Sequence, residues 1–491
     1  MPSETPTLVP QALLDAPLAR DRGAAPMQRQ LHDRLKDAIL AGRLAPGCLL
    51  PGSRALAEAL SISRNTVTAA YNLLAVEGYV QPDRKGTRVA TLIRPPSRAR
   101  RAAQPAVPLP ARLARIQSTV PPAEAGLALR PGVPALSHFP LADWRRAIDR
   151  AIHRAGSSAL GYGDPLGEPA LRTSIANYLS LARGVRCDPA LVVITEGAQE
   201  ALLLCVRLLT NPGDIAWIED PGYRGAKAAM HSGDLRIVPK QVDADGLMVT
   251  EKDWRSQPPS LIYTTPSHQY PAGAVLSVAR RLELIANARR HRTWIIEDDY
   301  DSEYRHVGAP IGAMQGLVDQ APVLYVGTFS KTMFPSLRLG FLVLPEALIA
   351  QMREPLTEIL RGGHRYEQLA LAEFIDSGEF SRHLSRMRRL YRDRQHSLRE
   401  ALTQHMRVPH VIEGGNCGLH LTMRLPAQYP DRAIADAAQR HGLAPAALSS
   451  FALQPRSQHN GLVLGYGNTS AELFSPMIRR LSQITLGAKV S

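Results

Sequence analysis

Cysteine is scarce in this chain, with four in 491 residues, and Cys48, Cys187, Cys205 and Cys417 lie far apart with no Cys-x-x-Cys pair. That pattern indicates neither a zinc site nor a disulfide framework, and it reads as reduced thiols in a cytosol. The N-terminus lacks the basic-then-apolar run of a secretory leader. No apolar run is long enough to span a bilayer. The expectation is a soluble, cytoplasmic protein with no membrane partner and no metal. Acidic residues are also short in number, 44 Asp/Glu against 58 Lys/Arg, for a formal charge of +14. The excess is concentrated, since residues 26–101 hold 13 Lys/Arg against 5 Asp/Glu. A clustered positive charge points to a polyanionic partner rather than to solubility alone.

What is present falls into an ordered succession. Residues 1–25 carry several Pro and Ala without a period and read as a flexible tail. Over 27–42, Leu31, Leu35 and Ile39 recur at helical spacing up to Gly42. Pro46-Gly47 marks a turn. Ser53 reads as the N-cap of a second helix with Leu56, Ala57 and Leu60 on one face. Ser63 reads as the N-cap of a third, running to about Val76 with Val67, Tyr71 and Leu74 inward. Helix, short turn, helix is helix-turn-helix spacing. Tyr79-Val80 and Thr87–Leu92 then read as two short strands around the basic turn Pro82-Asp83-Arg84-Lys85-Gly86. Residues 26–92 are therefore expected to form a winged helix-turn-helix.

Leu50-Pro51-Gly52-Ser53-Arg54-Ala55-Leu56-Ala57, Ser61-Ile62-Ser63-Arg64-Asn65-Thr66-Val67 and the run from Leu74 to Val80 resemble the DNA-binding domain of the GntR family of regulators. The resemblance implies that Arg54, Ser63, Arg64, Asn65 and Thr66 meet double-stranded DNA, and that Gly86 sits at the wing tip by the minor groove. The turn from Asp83 to Thr87 is tighter than the family's usual Gly-Ser-Gly form. The physics agrees with the helix assignment. First-turn side chains of a recognition helix face base edges in the major groove, where Arg pairs bidentately with guanine. A cation at a helix N-terminus, as Arg64 would be, opposes the helix dipole, so its presence there calls for another reason.

Residues 93–125, with Arg94-Pro95-Pro96, Arg100-Arg101, Pro105, Pro108, Pro110 and Pro121-Pro122, read as a semi-extended linker. From 126 the character changes. Leu191–Ile194, Ile215–Ile218, Leu261–Thr264, Trp294–Glu297 and Val323–Val326 are strand-like runs alternating with helical patterns, which predicts an open, mostly parallel α/β sheet. In such sheets ligands bind at the carboxyl ends of the strands.

The motifs lie at those ends. Val326-Gly327-Thr328-Phe329-Ser330-Lys331-Thr332 offers a lysine with hydroxyls one and three residues before it, and Arg338 follows seven residues later. An amine for a Schiff base, donors for a phosphate and a nearby cation are what a pyridoxal 5'-phosphate site needs. Upstream, Thr195-Glu196-Gly197-Ala198-Gln199 opens a helix after a strand, where backbone N–H groups favour an anion. Glu219-Asp220-Pro221-Gly222-Tyr223 places an aromatic after the next strand. Trp294 to Asp301 ends an apolar strand in carboxylates, costly to bury unless paired, and a protonated pyridine nitrogen is a suitable partner.

The succession Gly-Ala-Gln, Tyr, Asp-x-Tyr, Ser-Lys, Arg resembles the fold type I aminotransferases over residues 126–491. The resemblance implies that Ala198 and Gln199 cradle the phosphate by backbone amides and that Thr328, Ser330 and Arg338 hold it. Tyr223 would stack on the pyridine ring. Asp298, with Asp299 as the alternative, would pair the ring nitrogen. Tyr300 would bond the phenolic oxygen, and Lys331 would form the Schiff base. Tyr162, in Tyr162-Gly163-Asp164-Pro165-Leu166-Gly167, matches a tyrosine that reaches the other subunit's phosphate, which implies a dimer.

Two departures stand out. Where transaminases have Asn-Pro-Thr-Gly, this chain has Ser267-His268-Gln269-Tyr270-Pro271-Ala272-Gly273, and His268 could serve the phenolic oxygen, an effector or the structure. The late strand Gly461-Leu462-Val463-Leu464-Gly465-Tyr466 is apolar where transaminases carry the arginine that grips a substrate carboxylate. A GntR-type winged helix joined to an aminotransferase-like domain resembles the MocR subfamily of regulators. That resemblance implies a transcriptional regulator, dimeric and packed head to tail, that senses pyridoxal phosphate or an amino compound forming an aldimine with it. The alternative is an active aminotransferase tethered to DNA.

Overall fold

In the computed structural model the described residues are 17–21, 23–92, 108–116, 127–454 and 456–489. Most of the expected tail and linker lies outside them. The chain divides into two compact units, residues 1–108 and 109–491.

The first unit holds α1 (Met27–Leu40), α2 (Ser53–Ala59) and α3 (Arg64–Val76). Their apolar faces meet in one core containing Leu31, Leu35, Ile39, Leu56, Val67, Ala70 and Leu74. Each fully buried Leu or Val there contributes about 1.5–3 kcal/mol. Ser63 caps α3, its side chain accepting from the Thr66 N–H at 3.1 Å. Ser53 does not cap α2. Gly52 holds that position without a side-chain cap, and Ser53 is the first helical residue. Its hydroxyl instead accepts from Arg64 Nε at 3.3 Å. The wing also differs from expectation. β1 (Val80–Asp83) and β2 (Gly86–Val89) pair antiparallel with Asp83 opposite Gly86, so Pro82 and Asp83 are strand residues and only Arg84-Lys85 turn the corner. Asp83 closes the hairpin by accepting from the Lys85 N–H at 2.6 Å and from Arg88 Nε at 2.7 Å. Gly86 has φ +137°, and a Cβ there would lie 3.1 Å from Leu49, so the backbone itself calls for glycine.

The second unit is built on a sheet of eight described strands. These are β3 (Val192–Thr195), β4 (Ile215–Asp220), β5 (Arg236–Asp243), β6 (Gly246–Leu247), β7 (Leu261–Thr264), β8 (Trp294–Asp299), β9 (Val323–Thr328) and β10 (Gly340–Val343). Their order is β3-β10-β9-β8-β7-β4-β5-β6. The run β9-β8-β7-β4-β5 is parallel, while β10 is antiparallel to both its neighbours and β6 to β5. The expected strand starts hold to within one residue, but β4, β8 and β9 each run two residues further. Those extra residues include Asp220, Asp298, Asp299 and Thr328. Strands buried on both faces read as continuous apolar runs, so the apolar run stops where the polar residues begin although the strand pairing continues.

A smaller antiparallel sheet, β11 (Val411–Glu413), β12 (His420–Arg424), β13 (Ala446–Ala447) and β14 (Gly461–Gly465), has the order β11-β12-β14-β13. The expected linker ends in structure. Ala111–Arg115 form a short 3-10 helix beside the helix Arg224–Ser232, and Arg112 pairs with Asp234 at 2.9 Å. Among the described residues no helix is long and apolar enough to cross a membrane.

Candidate functional site

A cavity of about 590 Å³ opens at the carboxyl ends of the parallel strands. Its lining includes Ala198, Gln199, Tyr223, Asp298, Tyr300, Thr328, Ser330, Lys331 and Arg338, residues drawn from five separate stretches of the sequence. Gly197 precedes the helix Ala198–Leu209 with φ +80°, a conformation that favours glycine, and Gly197, Ala198 and Gln199 at this helix start line the cavity. Arg338 stands beside Gly197 and donates to the Glu196 carbonyl at 2.9 Å. Thr328 donates to Ser330 Oγ at 3.1 Å and accepts from the Ser330 N–H at 3.1 Å. Helix-start amides, two hydroxyls and a guanidinium form an anion cradle.

Lys331 extends into the same cavity and donates to the Gly132 carbonyl at 2.6 Å. Burial pushes its pKa down, opposed by Asp301 and Asp298 and assisted by Arg130. A lysine in that setting more readily holds the neutral, nucleophilic amine. Asp298 is buried, and Tyr263 donates to its Oδ2 at 2.7 Å. Its Oδ1 is buried with no hydrogen-bond partner among the described residues. Burial raises this carboxyl to about 7, with Tyr263 pulling the other way and Asp299, Glu219 and Asp301 adding to the rise. An orphaned carboxylate oxygen in a cavity with an anion cradle and a lysine fits pyridoxal phosphate, whose protonated ring nitrogen would supply the missing N–H.

Strand alternation decides between the neighbouring carboxylates. Asp299 points away from the cavity into a buried network, accepting from Arg183 Nε at 2.8 Å and Tyr325 at 2.6 Å. Tyr300 lies 3.0 Å from His268 Nδ1, which is 2.9 Å from Asp301 Oδ1. A carboxylate beside Nδ1 keeps the proton on that nitrogen. With the Nδ1 hydrogen directed to Asp301, that nitrogen has no lone pair to offer, so the Tyr300 hydroxyl keeps its own hydrogen for the cavity it lines. Tyr162 is outside this arrangement, 98% exposed and absent from the lining.

Several lining residues were not legible in advance. Tyr263 sits in an apolar strand and Asp301 among other carboxylates. His420 and Arg130 are isolated residues whose neighbours in sequence carry no motif.

In the first unit Arg54, in the first turn of α2, is exposed, as are Ser63, Arg64 and Asn65 at the start of α3, with Thr66 partly so. Gly86, Arg84 and Lys85 are exposed on the wing. The Arg64–Ser53 bond links the recognition-helix start to the Pro-Gly-Ser-Arg segment.

Comparison with known proteins follows the same division. Residues 27–89 match the gntR family of bacterial regulatory proteins, and residues 128–456 match the aminotransferase class I and II family. The chain is 38% identical to a probable rhizopine catabolism regulatory protein, MocR, of Rhizobium meliloti, covering 96% of this chain and 97% of that one. The chain belongs to the MocR subfamily of GntR-type regulators. Another relative is the pyridoxine biosynthesis transcriptional regulator PdxR of Corynebacterium glutamicum, 30% identical over 97% of this chain and all of that one. Among solved structures, the α-aminoadipate aminotransferase LysN of Thermus thermophilus, complexed with N-(5'-phosphopyridoxyl)-L-leucine, matches with a TM-score of 0.69 and 26% identity. That match covers 77% of this chain and 97% of LysN. MocR-type architecture accounts for both the winged helix and the fold type I domain.

Proposed function

We propose that this MocR-type chain is a pyridoxal phosphate-dependent transcriptional regulator, in which the large domain senses the cofactor or an amino compound that reacts with it. The observation that carries the reading is the pairing, in one cavity, of the Lys331 amine with the orphaned Asp298 Oδ1, in a chain that also carries an exposed recognition helix. When bound, the cofactor supplies an aldehyde for amines and a ring that withdraws electrons. The protein's residues do the rest. Ala198, Gln199, Thr328, Ser330 and Arg338 would hold the phosphate, Tyr223 would pack on the ring, Asp298 would keep the ring nitrogen protonated, and Tyr300 would donate to the phenolic oxygen. A ligand moves the DNA-binding heads only through a difference in affinity for two conformations.

Tyr162 belongs to the partner's site in a head-to-tail dimer, which explains its exposure in one chain. Two heads per dimer would read two half-sites, direct or inverted. The protein acts in the cytoplasm. The competing reading is an active aminotransferase, favoured by the intact Lys331, Asp298 and Tyr300 set. The apolar run of β14 counts against it, since transaminases anchor the substrate carboxylate from that strand.

The test is a footprint of the purified protein on its own upstream DNA with and without pyridoxal phosphate, with visible absorbance before and after borohydride. A cofactor-dependent footprint with a reducible chromophore is expected. No footprint, with a chromophore that an amino acid converts to the amine form, would favour the enzyme.

A further inference from the structure

The cavity extends beyond the cofactor-holding residues to a second wall that includes Leu419, His420, Ala435, Ala446 and Ser450. Four arginines line the whole space, Arg130, Arg224, Arg338 and Arg432. Three have evident engagements. Arg338 bonds the Glu196 carbonyl in the anion cradle, Arg224 lies over the Phe451 ring at 4.8 Å, and Arg432 is exposed, with Nε donating to Ser449 at 3.2 Å. Arg130 is half-buried, and among the described residues no carboxylate pairs with it. A guanidinium drawn out of water without a counter-ion is costly unless an anion arrives to pair it.

The backbone around Arg130 is fixed. The Leu129 N–H donates to Thr469 at 3.1 Å, and the Leu129 carbonyl accepts from the Gly465 N–H at 2.8 Å. The Arg130 carbonyl packs so closely on Gly465 that a Cβ there would lie 2.0 Å from it. Arg130 is therefore laid along β14, the strand that is apolar here where transaminases place their carboxylate-binding arginine. Two residues on, Gly132 accepts from the Lys331 amine. The same short segment thus carries a cation and positions the reacting amine.

We propose that Arg130 is the specificity-determining residue for the effector, binding a carboxylate on an amino compound from a segment laid against β14 rather than from β14 itself. This rests on the effector-sensing reading above. Arg presents a planar fork that matches a carboxylate bidentately. The electrostatics agree with the geometry, because Arg130 also works against protonation of Lys331, and an effector carboxylate would offset that influence on binding.

The experiment uses the full chain freed of cofactor and two stable probes, N-(5'-phosphopyridoxyl)glycine and N-(5'-phosphopyridoxyl)methylamine, which differ by one carboxylate. Calorimetric titration of the wild type should show the glycine conjugate binding about 10- to 100-fold more tightly, the range of a charge-assisted hydrogen-bond pair. Arg130→Ala should bring the two probes within about threefold of each other, with the methylamine conjugate bound as in the wild type. Should Arg130→Ala fail to fold, Arg130→Lys and Arg130→Gln keep the stem, and the preference should fall in the order Arg, Lys, Gln. A wild type indifferent to the carboxylate, or a folded variant that keeps the full preference, overturns the proposal. If neither probe binds the wild type, the cofactor reading itself fails and the proposal fails with it.

Discussion

Asp298 shows how a single residue is prepared at the expense of stability. Burial holds its carboxyl near 7, well above the usual aspartate value of 3.8. Between those two values the folded, cofactor-free chain binds a proton that the unfolded chain has released. The contribution of this group to stability therefore falls as pH rises from about 4 to about 7. Asp298→Asn removes the ionisation. Thermal melts of the cofactor-free protein from about pH 5 to 8 should show a flatter slope for the variant, and a melting point a few degrees above wild type at the alkaline end. Its affinity for pyridoxal phosphate should fall at least about tenfold, because the charge-assisted bond to the ring nitrogen is lost. At Lys331 the expectation is sharper. Lys331→Ala should abolish the borohydride-reducible chromophore, and if the amine is the trigger it should also change the cofactor response of the footprint. A Lys331→Ala protein with unaltered absorbance and footprint would remove Lys331 from the mechanism.

At the scale of the element, α3 combines a stability feature with a recognition feature in its first turn. Ser63 satisfies the Thr66 N–H, and Ser63→Ala should cost about 1 kcal/mol of stability in the head, read by urea unfolding of the full chain followed in that unit. Arg64 and the wing-tip Lys85 should separate in gel-shift titrations. Arg64→Ala should cost about 1–3 kcal/mol on the operator and relax discrimination at one base position. Lys85→Ala should weaken all sequences alike and lower the salt slope by about one. Equal effects from the two would mean that Arg64 reads backbone rather than base. The helix periods that built this core were visible in Leu31, Leu35, Val67 and Leu74. The role of Ser53 was not, because a serine at the first helical position and one at the cap look the same until the backbone dihedrals of Gly52 are known.

For the whole molecule the decisive residue is Tyr162, which is outside its own chain's cavity. In a head-to-tail dimer Tyr162→Phe should weaken pyridoxal phosphate binding about tenfold, as loss of a hydrogen bond to a charged group does. Mixed dimers with Lys331→Ala subunits should restore one normal site. Unchanged cofactor affinity in Tyr162→Phe would place this tyrosine elsewhere.

The sequence by itself determined the two-part architecture, the winged helix, the parallel sheet and most of the named residues that line the large cavity. Each of these is written in local periodicity or in short motifs at strand ends, where the chemistry needs particular side chains close together along the chain. Only the tertiary structure decided between Asp298 and Asp299, because adjacent strand residues face opposite ways and the sheet register selects which one meets the cavity. It alone brought Arg130 beside Lys331, 201 positions away in the sequence, and set His268 between Asp301 and Tyr300. Contacts of that kind follow from how strands and loops pack in three dimensions: nothing in the residues flanking Arg130 encodes its place, and the motif around His268 leaves open which groups its ring meets.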